Sequence, residues 1–221
     1  MMNNLFSMFD PSTSNNLSLN WLSSLMLMIM LPSIFWIIPN KFFFIKNLII
    51  KFLLLELKIN VKNNNFIMFF ISIFIFILLN NFMGLFPYIF TSTSHLSLNL
   101  TISLPLWLSL MLYGWINNMN HMFIHLIPQS TPTLLMPFMV LIETTSNIIR
   151  PLTLSVRLTA NMIAGHLLLT LLSSMKYNLN LSLIWILILL QIILLILEAS
   201  VALIQAYVFM TLSSLYCSEI N

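Results

Sequence analysis

Charge is what this sequence most lacks. Asp, Glu, Lys and Arg together make up 6% of its 221 residues, against about 25% in an ordinary soluble domain. Between Asn63 and Ile142 there is no charged side chain at all, which excludes a domain with an aqueous surface and suits hydrocarbon. The single cysteine, Cys217, excludes an internal disulfide, and the four histidines are too scattered for a recognisable metal motif. Glycine occurs three times, each isolated, so there is no glycine-rich phosphate loop and no nucleotide site is expected. The first residues lack a basic region followed by an apolar core, so neither a secretory signal nor an arginine-rich transit peptide is expected. What is abundant is apolar: 60% of residues are hydrophobic, mean hydropathy is +1.01, and Met (16) and Phe (18) are plentiful. That bias fits an AT-rich coding sequence of the organellar kind.

The apolar runs divide into spans. Residues 21–38 are just long enough to cross about 30 Å of hydrocarbon, and Pro39 and Asn40 close the run. Lys41, Lys46, Lys51, Glu56, Lys58 and Lys62 then recur among Phe, Leu and Ile. That pattern predicts an amphipathic surface helix over residues 41–62, with one cationic stripe and one oily face. By the positive-inside rule its lysines face the side of synthesis, which puts the N-terminus on the opposite side and, by parity, the C-terminus on the lysine side. Residues 66–116 hold a second and a third span, separated by Pro87 and the polar run Thr91, Ser92, Thr93, Ser94 and His95. A loop containing His121, His125 and Pro128 leads to two long elements over 134–172 and 181–216, joined by a turn at 176–180. About 36 residues of helix measure roughly 54 Å, well beyond the bilayer core, so these elements must tilt steeply, kink or break. Pro137 and Pro151 permit bends in the first of them; the second has neither proline nor glycine. The expectation is an all-α integral membrane protein forming one membrane domain: about five membrane-embedded helices plus one amphipathic surface helix, the last two long and steeply inclined as a hairpin over 134–216.

Against this apolar background the few charges stand out by their spacing. Glu143, Arg150 and Arg157 are seven residues apart, and seven residues return a helix to within about 20° of its starting direction. Asn147 and Asn161 follow charged members by four, which puts five polar residues on one stripe. The last element repeats the device with Gln191, Glu198 and Gln205. An arginine at the centre of a membrane helix costs about 2.5–3.5 kcal/mol on insertion scales, so an intramembrane charge stripe marks a functional face turned to protein or water. Antiparallel packing would set the two stripes against each other. His166, nine residues after Arg157, lies on the opposite helical face; its ordinary pKa near 6.5 suits proton exchange, especially beside a carboxylate such as Glu198.

Plainer readings compete. An Arg157–Glu198 ion pair that only fixes helix register explains one pair but not five polar neighbours. Arg150, beside Pro151 and off centre, suits a supporting role or snorkelling to the interface. His121 and His125 have a metal clip's spacing, but their proline- and asparagine-rich surroundings favour a surface role. A self-contained cation channel, a structural subunit of a respiratory complex and a haem protein are the alternative classes. The last is disfavoured because only His166 lies deep in a predicted span.

The run Ser155-Val156-Arg157-Leu158-Thr159-Ala160-Asn161-Met162-Ile163-Ala164-Gly165-His166 resembles the signature of the subunit a (ATPase subunit 6) family of mitochondrial ATP synthases. Leu141-Ile142-Glu143-Thr144, the stretch from Val201 to Phe209, and Asn81-Phe82-Met83-Gly84-Leu85-Phe86-Pro87 are similar to the same family. The resemblance implies a multi-pass subunit of the mitochondrial inner membrane, with its N-terminus toward the intermembrane space and its C-terminus toward the matrix. Its expected partners are the rotating c-subunit ring, other membrane-sector and stator subunits, protons and the lipid bilayer, with no cofactor, metal or nucleic acid. It further implies that Arg157 faces the ring carboxylates and separates two aqueous half-channels. His166 and Glu198 would serve proton uptake from the intermembrane space, Glu143 the matrix-side exit, and Gln205 would lie near Arg157 on the facing helix. Asn161 belongs to the proton path on this reading, and Arg150, Asn147 and Gln191 support it.

Overall fold

The computed structural model describes residues 5–14, 17–29, 40–61, 64–86, 88–127, 132–175 and 181–220. Seven α-helices follow one another in the described residues: α1 (Leu22–Ile29), α2 (Lys41–Asn60), α3 (Asn64–Gly84), α4 (Leu96–Asn117), α5 (Met119–His125), α6 (Met136–Met175) and α7 (Leu181–Ile220). Short 3-10 turns precede α1, α4 and α6, and no strand occurs among the described residues. Four helices are long and apolar enough to cross a membrane: Asn65–Gly84, Leu96–Asn117, Met136–Met175 and Leu183–Glu219. Of the predicted first span, α1 covers the beginning; residues 30–38 lie outside the described residues, as does the predicted turn at 176–180.

Sequence chemistry accounts for where these helices start and stop. α3 is an apolar run bracketed by asparagines, Asn64 and Asn65 before it and Asn80 and Asn81 near its end. After Gly84 the chain reverses through Tyr88, whose φ of 72° lies in the left-handed region and whose side chain is almost wholly exposed. α6 and α7 are each 40 residues, about 60 Å at 1.5 Å per residue and twice the hydrocarbon thickness. α6 continues through Pro151, which is buried, so the proline expected to permit a bend is carried inside one continuous helix. Hydroxyls along α6 and α7 donate three residues back to their own helix: Ser155 to Leu152, Thr159 to Val156, Thr170 to Leu167 and Ser213 to Met210, at 2.8–2.9 Å. Such back-bonding satisfies a hydroxyl where no water is at hand.

The core lies where α3 packs on α7 and where α6 packs on both α4 and α7. It consists of Phe70, Ile71, Phe74 and Ile77 from α3, Leu106 and Leu110 from α4, Leu154 and Leu158 from α6, and Ala206, Phe209 and Met210 from α7. Ala202 and Ala206 on α7 are at most 1% exposed; their small side chains allow close helix approach, a common device of membrane packing. Outward, both long helices present apolar rows: Ile148, Leu152 and Val156 on α6, and Leu189, Ile192, Ile193 and Ile196 on α7 are all exposed. The α7 row follows the three- and four-residue steps of a single helical face, as a surface turned to lipid or to another apolar helix would.

α2 departs from its expected one-sided character. Leu53, Leu57 and Val61, at its C-terminal end, are buried against α3 and α7, while Phe44, Ile45, Leu48, Phe52, Leu55 and Ile59 are exposed. The helix is therefore oily on two sides, because one side is taken up by its own protein. Polar contacts reinforce that docking: Tyr207 Oη donates to Glu56 Oε1, and Asn60 Nδ2 donates to Ser214 Oγ at 3.5 Å. The lysine-bearing helix and the C-terminal half of α7 thus lie at the same end of the molecule.

Candidate functional site

α6 carries most of the candidate residues, and its packing sorts them into three places. Leu154, Ser155, Leu158, Thr159 and Met162 point into the protein. Arg157 lies on the outward side with Thr153, Val156 and Ala160, all exposed. Its guanidinium makes no ion pair among the described residues. The Arg157–Glu198 pair considered from the sequence is not formed.

Glu198 is instead held against Gly165. A Cβ built on Gly165 would stand 2.6 Å from Glu198 Oε1 and 2.8 Å from its Cδ, so only glycine lets the α7 carboxylate approach the α6 backbone this closely. Glu198 is 8% exposed and His166 5%. Both line a cavity of about 200 Å³ together with Asn161, Met162, Gly165 and Val201, a space large enough for several waters. Both Glu198 carboxylate oxygens and His166 Nε2 are buried without a protein hydrogen-bond partner among the described residues. Where neighbouring hydroxyls are satisfied by their own helix, these unpaired atoms call for water or another hydrogen-bonding partner.

A second cavity, about 240 Å³, opens at the other end of α6 and is lined by Trp107, Glu143, Asn147, Arg150, Tyr216 and Glu219 among others. Arg150 is the hub. Its Nη1 donates to Glu219 Oε2 at 2.5 Å, its Nη2 lies 3.9 Å from Glu143 Oε1, and its guanidinium sits over the Tyr216 ring at 4.9 Å. Two carboxylates around one arginine leave the group with a net negative charge when all are ionised. The supporting role expected of Arg150 therefore takes a definite form. Glu219 is a residue the sequence reading missed; it lies fourteen residues after Gln205, so the same sevenfold spacing extended by two steps reaches it.

Asn147 and Asn161, one in each cavity, are fourteen residues apart, about 21 Å along the helix. Arg157 falls between the cavities but on the outward face. Gln191 and Gln205 are half-buried on α7 and line neither cavity. A further buried polar group combines the expected loop residues Thr91, Ser92, Thr93 and Ser94 with Asn80, Asn81, Asn99 and Ser103 from the expected spans, each at most 5% exposed. A Cβ on Gly84 would meet both Thr91 and Met162, which places this group against α6. His121 and His125 fall on the short helix α5, and no group of three metal-ligating side chains occurs among the described residues.

Residues 17–218 match the model of the ATP synthase A chain family. The chain belongs to that family. It is 59% identical to ATP synthase subunit a of Drosophila simulans and 58% identical to that of Locusta migratoria, each alignment covering all of both chains. Members of the ATP synthase A chain family are helical integral membrane proteins, in keeping with the four long apolar helices here.

Proposed function

We propose that this chain is the proton-translocating stator subunit of the ATP synthase membrane sector in the mitochondrial inner membrane, and that it works through two half-channels separated by Arg157. The observation that carries this reading is an arginine on the outward apolar face, without an ion pair among the described residues, between two cavities each lined by a carboxylate and an asparagine. A permanent cation among exposed Val156, Ala160 and Leu152 needs an acidic partner from outside the chain, because an unpaired charge in hydrocarbon is costly. A rotating ring of c subunits bearing carboxylates supplies that partner.

The chemistry follows from charge and solvation. A proton taken up through the His166–Glu198 cavity neutralises a ring carboxylate, and the neutral acid passes into lipid where the ionised form would be prohibitively unstable. After nearly a full turn the site meets the Glu143–Asn147–Arg150 cavity, and the positive charge of Arg157 favours the ionised acid, so the proton leaves. Arginine stays protonated at any accessible pH, which makes Arg157 a barrier to direct leakage between the cavities. Each proton contributes about 2.3 kcal/mol per 100 mV of membrane potential.

Orientation follows the same logic. Five lysines mark the side of synthesis, and the docking of α2 on Tyr207 and Ser214 supports placing the C-terminus on that matrix side. The second cavity is lined by Tyr216 and Glu219, near the C-terminus, whereas the first is approached by Phe9, near the N-terminus. This arrangement favours uptake from the intermembrane space and release to the matrix.

The test is coupled proton flux in membranes holding the assembled complex, native against Arg157→Ala. Loss of coupled flux with assembly intact is the expected result. Undiminished coupled flux would return Arg157 to a structural role.

A further inference from the structure

We propose that the N-terminal turn Leu5–Phe9 is a cover over the His166–Glu198 cavity, with Phe9 as its stopper and as a positioning residue for the His166 imidazole. The inference rests on the proton-path role proposed above for His166, but its geometry is independent of that role. The Phe9 ring stands edge-on to the His166 ring, with centroids 6.4 Å apart and planes at 76°, an arrangement aromatic pairs prefer. The turn packs on α6, and His166 beneath it is buried although Ala164 and Leu168 nearby are exposed.

The arm that carries the turn is built and anchored. Asp10 accepts from Ser12 N at 3.0 Å and from Ser12 Oγ at 2.8 Å, and Asn20 Nδ2 reaches back to the Asp10 carbonyl at 3.3 Å. Thr13 Oγ1 donates to the Leu17 carbonyl at 2.9 Å. At its base, Ser23 Oγ donates to the Phe90 carbonyl at 3.4 Å, and the Trp21 ring packs on Phe90 and His95 at 5.5 and 5.2 Å. The arm is thus tied to the connection between α3 and α4 at one end and laid on α6 at the other.

Phenylalanine suits the position chemically. It offers no hydrogen-bonding group, so it excludes bulk water from one side of the imidazole without competing for either ring nitrogen. His166 Nε2 stays buried and without a protein partner among the described residues, available to water or a proton within the cavity. A polar side chain in place of Phe9 would offer water a path around the stopper.

The test reads accessibility, not turnover. Mitoplasts and inverted inner-membrane vesicles carrying the assembled complex are treated with diethyl pyrocarbonate, and carbethoxylation of His166 and of exposed His121 is followed by peptide mass spectrometry. Native His166 should react more slowly than His121. Phe9→Ala should raise the His166 rate about three- to tenfold, the range set by loss of one edge-on aromatic contact. Phe9→Trp should restore protection. Asp10→Ala, which loosens the arm without touching the stopper, should raise the rate as well. An unchanged rate in both alanine variants, with assembly intact, overturns the cover, as does a native rate equal to that of His121. If His166 reacts faster in Phe9→Ala yet its modification leaves coupled flux intact, the cover stands and the proton-path role of His166 falls.

Discussion

Replacing Gly165 with alanine tests the most tightly specified contact in the protein. The added methyl would stand 2.6 Å from Glu198 Oε1, 2.8 Å from Cδ and 3.0 Å from Cγ, where ordinary contact begins at 3.4 Å. The carboxylate must therefore retreat by about 0.8 Å or the two helices must part, an overpacking cost of about 1–3 kcal/mol. Alanine offsets part of this, since it is favoured over glycine inside a helix by about 1 kcal/mol. The chain is accordingly expected to fold and assemble, and the loss should fall on proton transfer, where a misplacement of about 1 Å can cost about 100-fold. We expect ATP-driven acidification of inverted vesicles, followed by a quenched dye, to drop by about ten- to a hundredfold while native gels show normal complex. A native pumping rate in Gly165→Ala would refute the reasoning that Glu198 must sit against α6 to work.

Arg150→Gln should destabilise the protein by only about 0.2–1 kcal/mol for each exposed ion pair it removes, because Glu143 and Glu219 lose their shared cation. A second change, Glu219→Gln, should recover part of that loss in a double-mutant cycle of complex stability, and strictly additive effects would refute the ionic hub. Tyr207→Phe removes the donor to Glu56, an exposed contact worth about 0.5–1.5 kcal/mol. Tryptic cleavage after Lys51 and Lys58, applied to each face of the membrane in turn, should speed up in that variant; an unchanged cleavage rate would mean that α2 is held by its other contacts.

How far the sequence can be read depends on the kind of information each feature carries. Span positions follow from composition, so α3, α4, α6 and α7 lie close to the predicted runs. The charge stripes follow from helical periodicity, which is why Glu143 and Arg150 meet and why Asn161 and Glu198 share a cavity. Periodicity on one helix does not say what the neighbouring helix covers. Arg157 and Arg150 lie seven residues apart, yet one is turned outward and the other is packed by Glu219 and Tyr216, because neighbouring helices cover the stripe at Arg150 and leave it open at Arg157. The approach of Glu198 to Gly165 depends on two backbones coming together, and nothing in either local pattern measures that separation.

The same distinction explains why the contact of the N-terminal arm with α6 cannot be read along the sequence, although its opening Asn4-Leu5-Phe6 is similar to the family. Phe9 and Asp10 lie in a short polar stretch without helical or strand periodicity, and their meaning comes from a contact with a residue more than a hundred positions away. The buried polar group from Thr91 to Ser94 is the complementary case. Read along the chain it looks like a loop, the usual place of Ser and Thr between apolar runs. Packed against α6 it becomes buried polar surface, and nearby Thr93 Oγ1, Asn81 Oδ1 and Asn99 Oδ1 lack protein partners among the described residues. Buried polar atoms that stay unpaired are costly in an apolar setting, so these three side chains call for water or another hydrogen-bonding partner in the region where α3, the 91–94 turn and α4 meet α6.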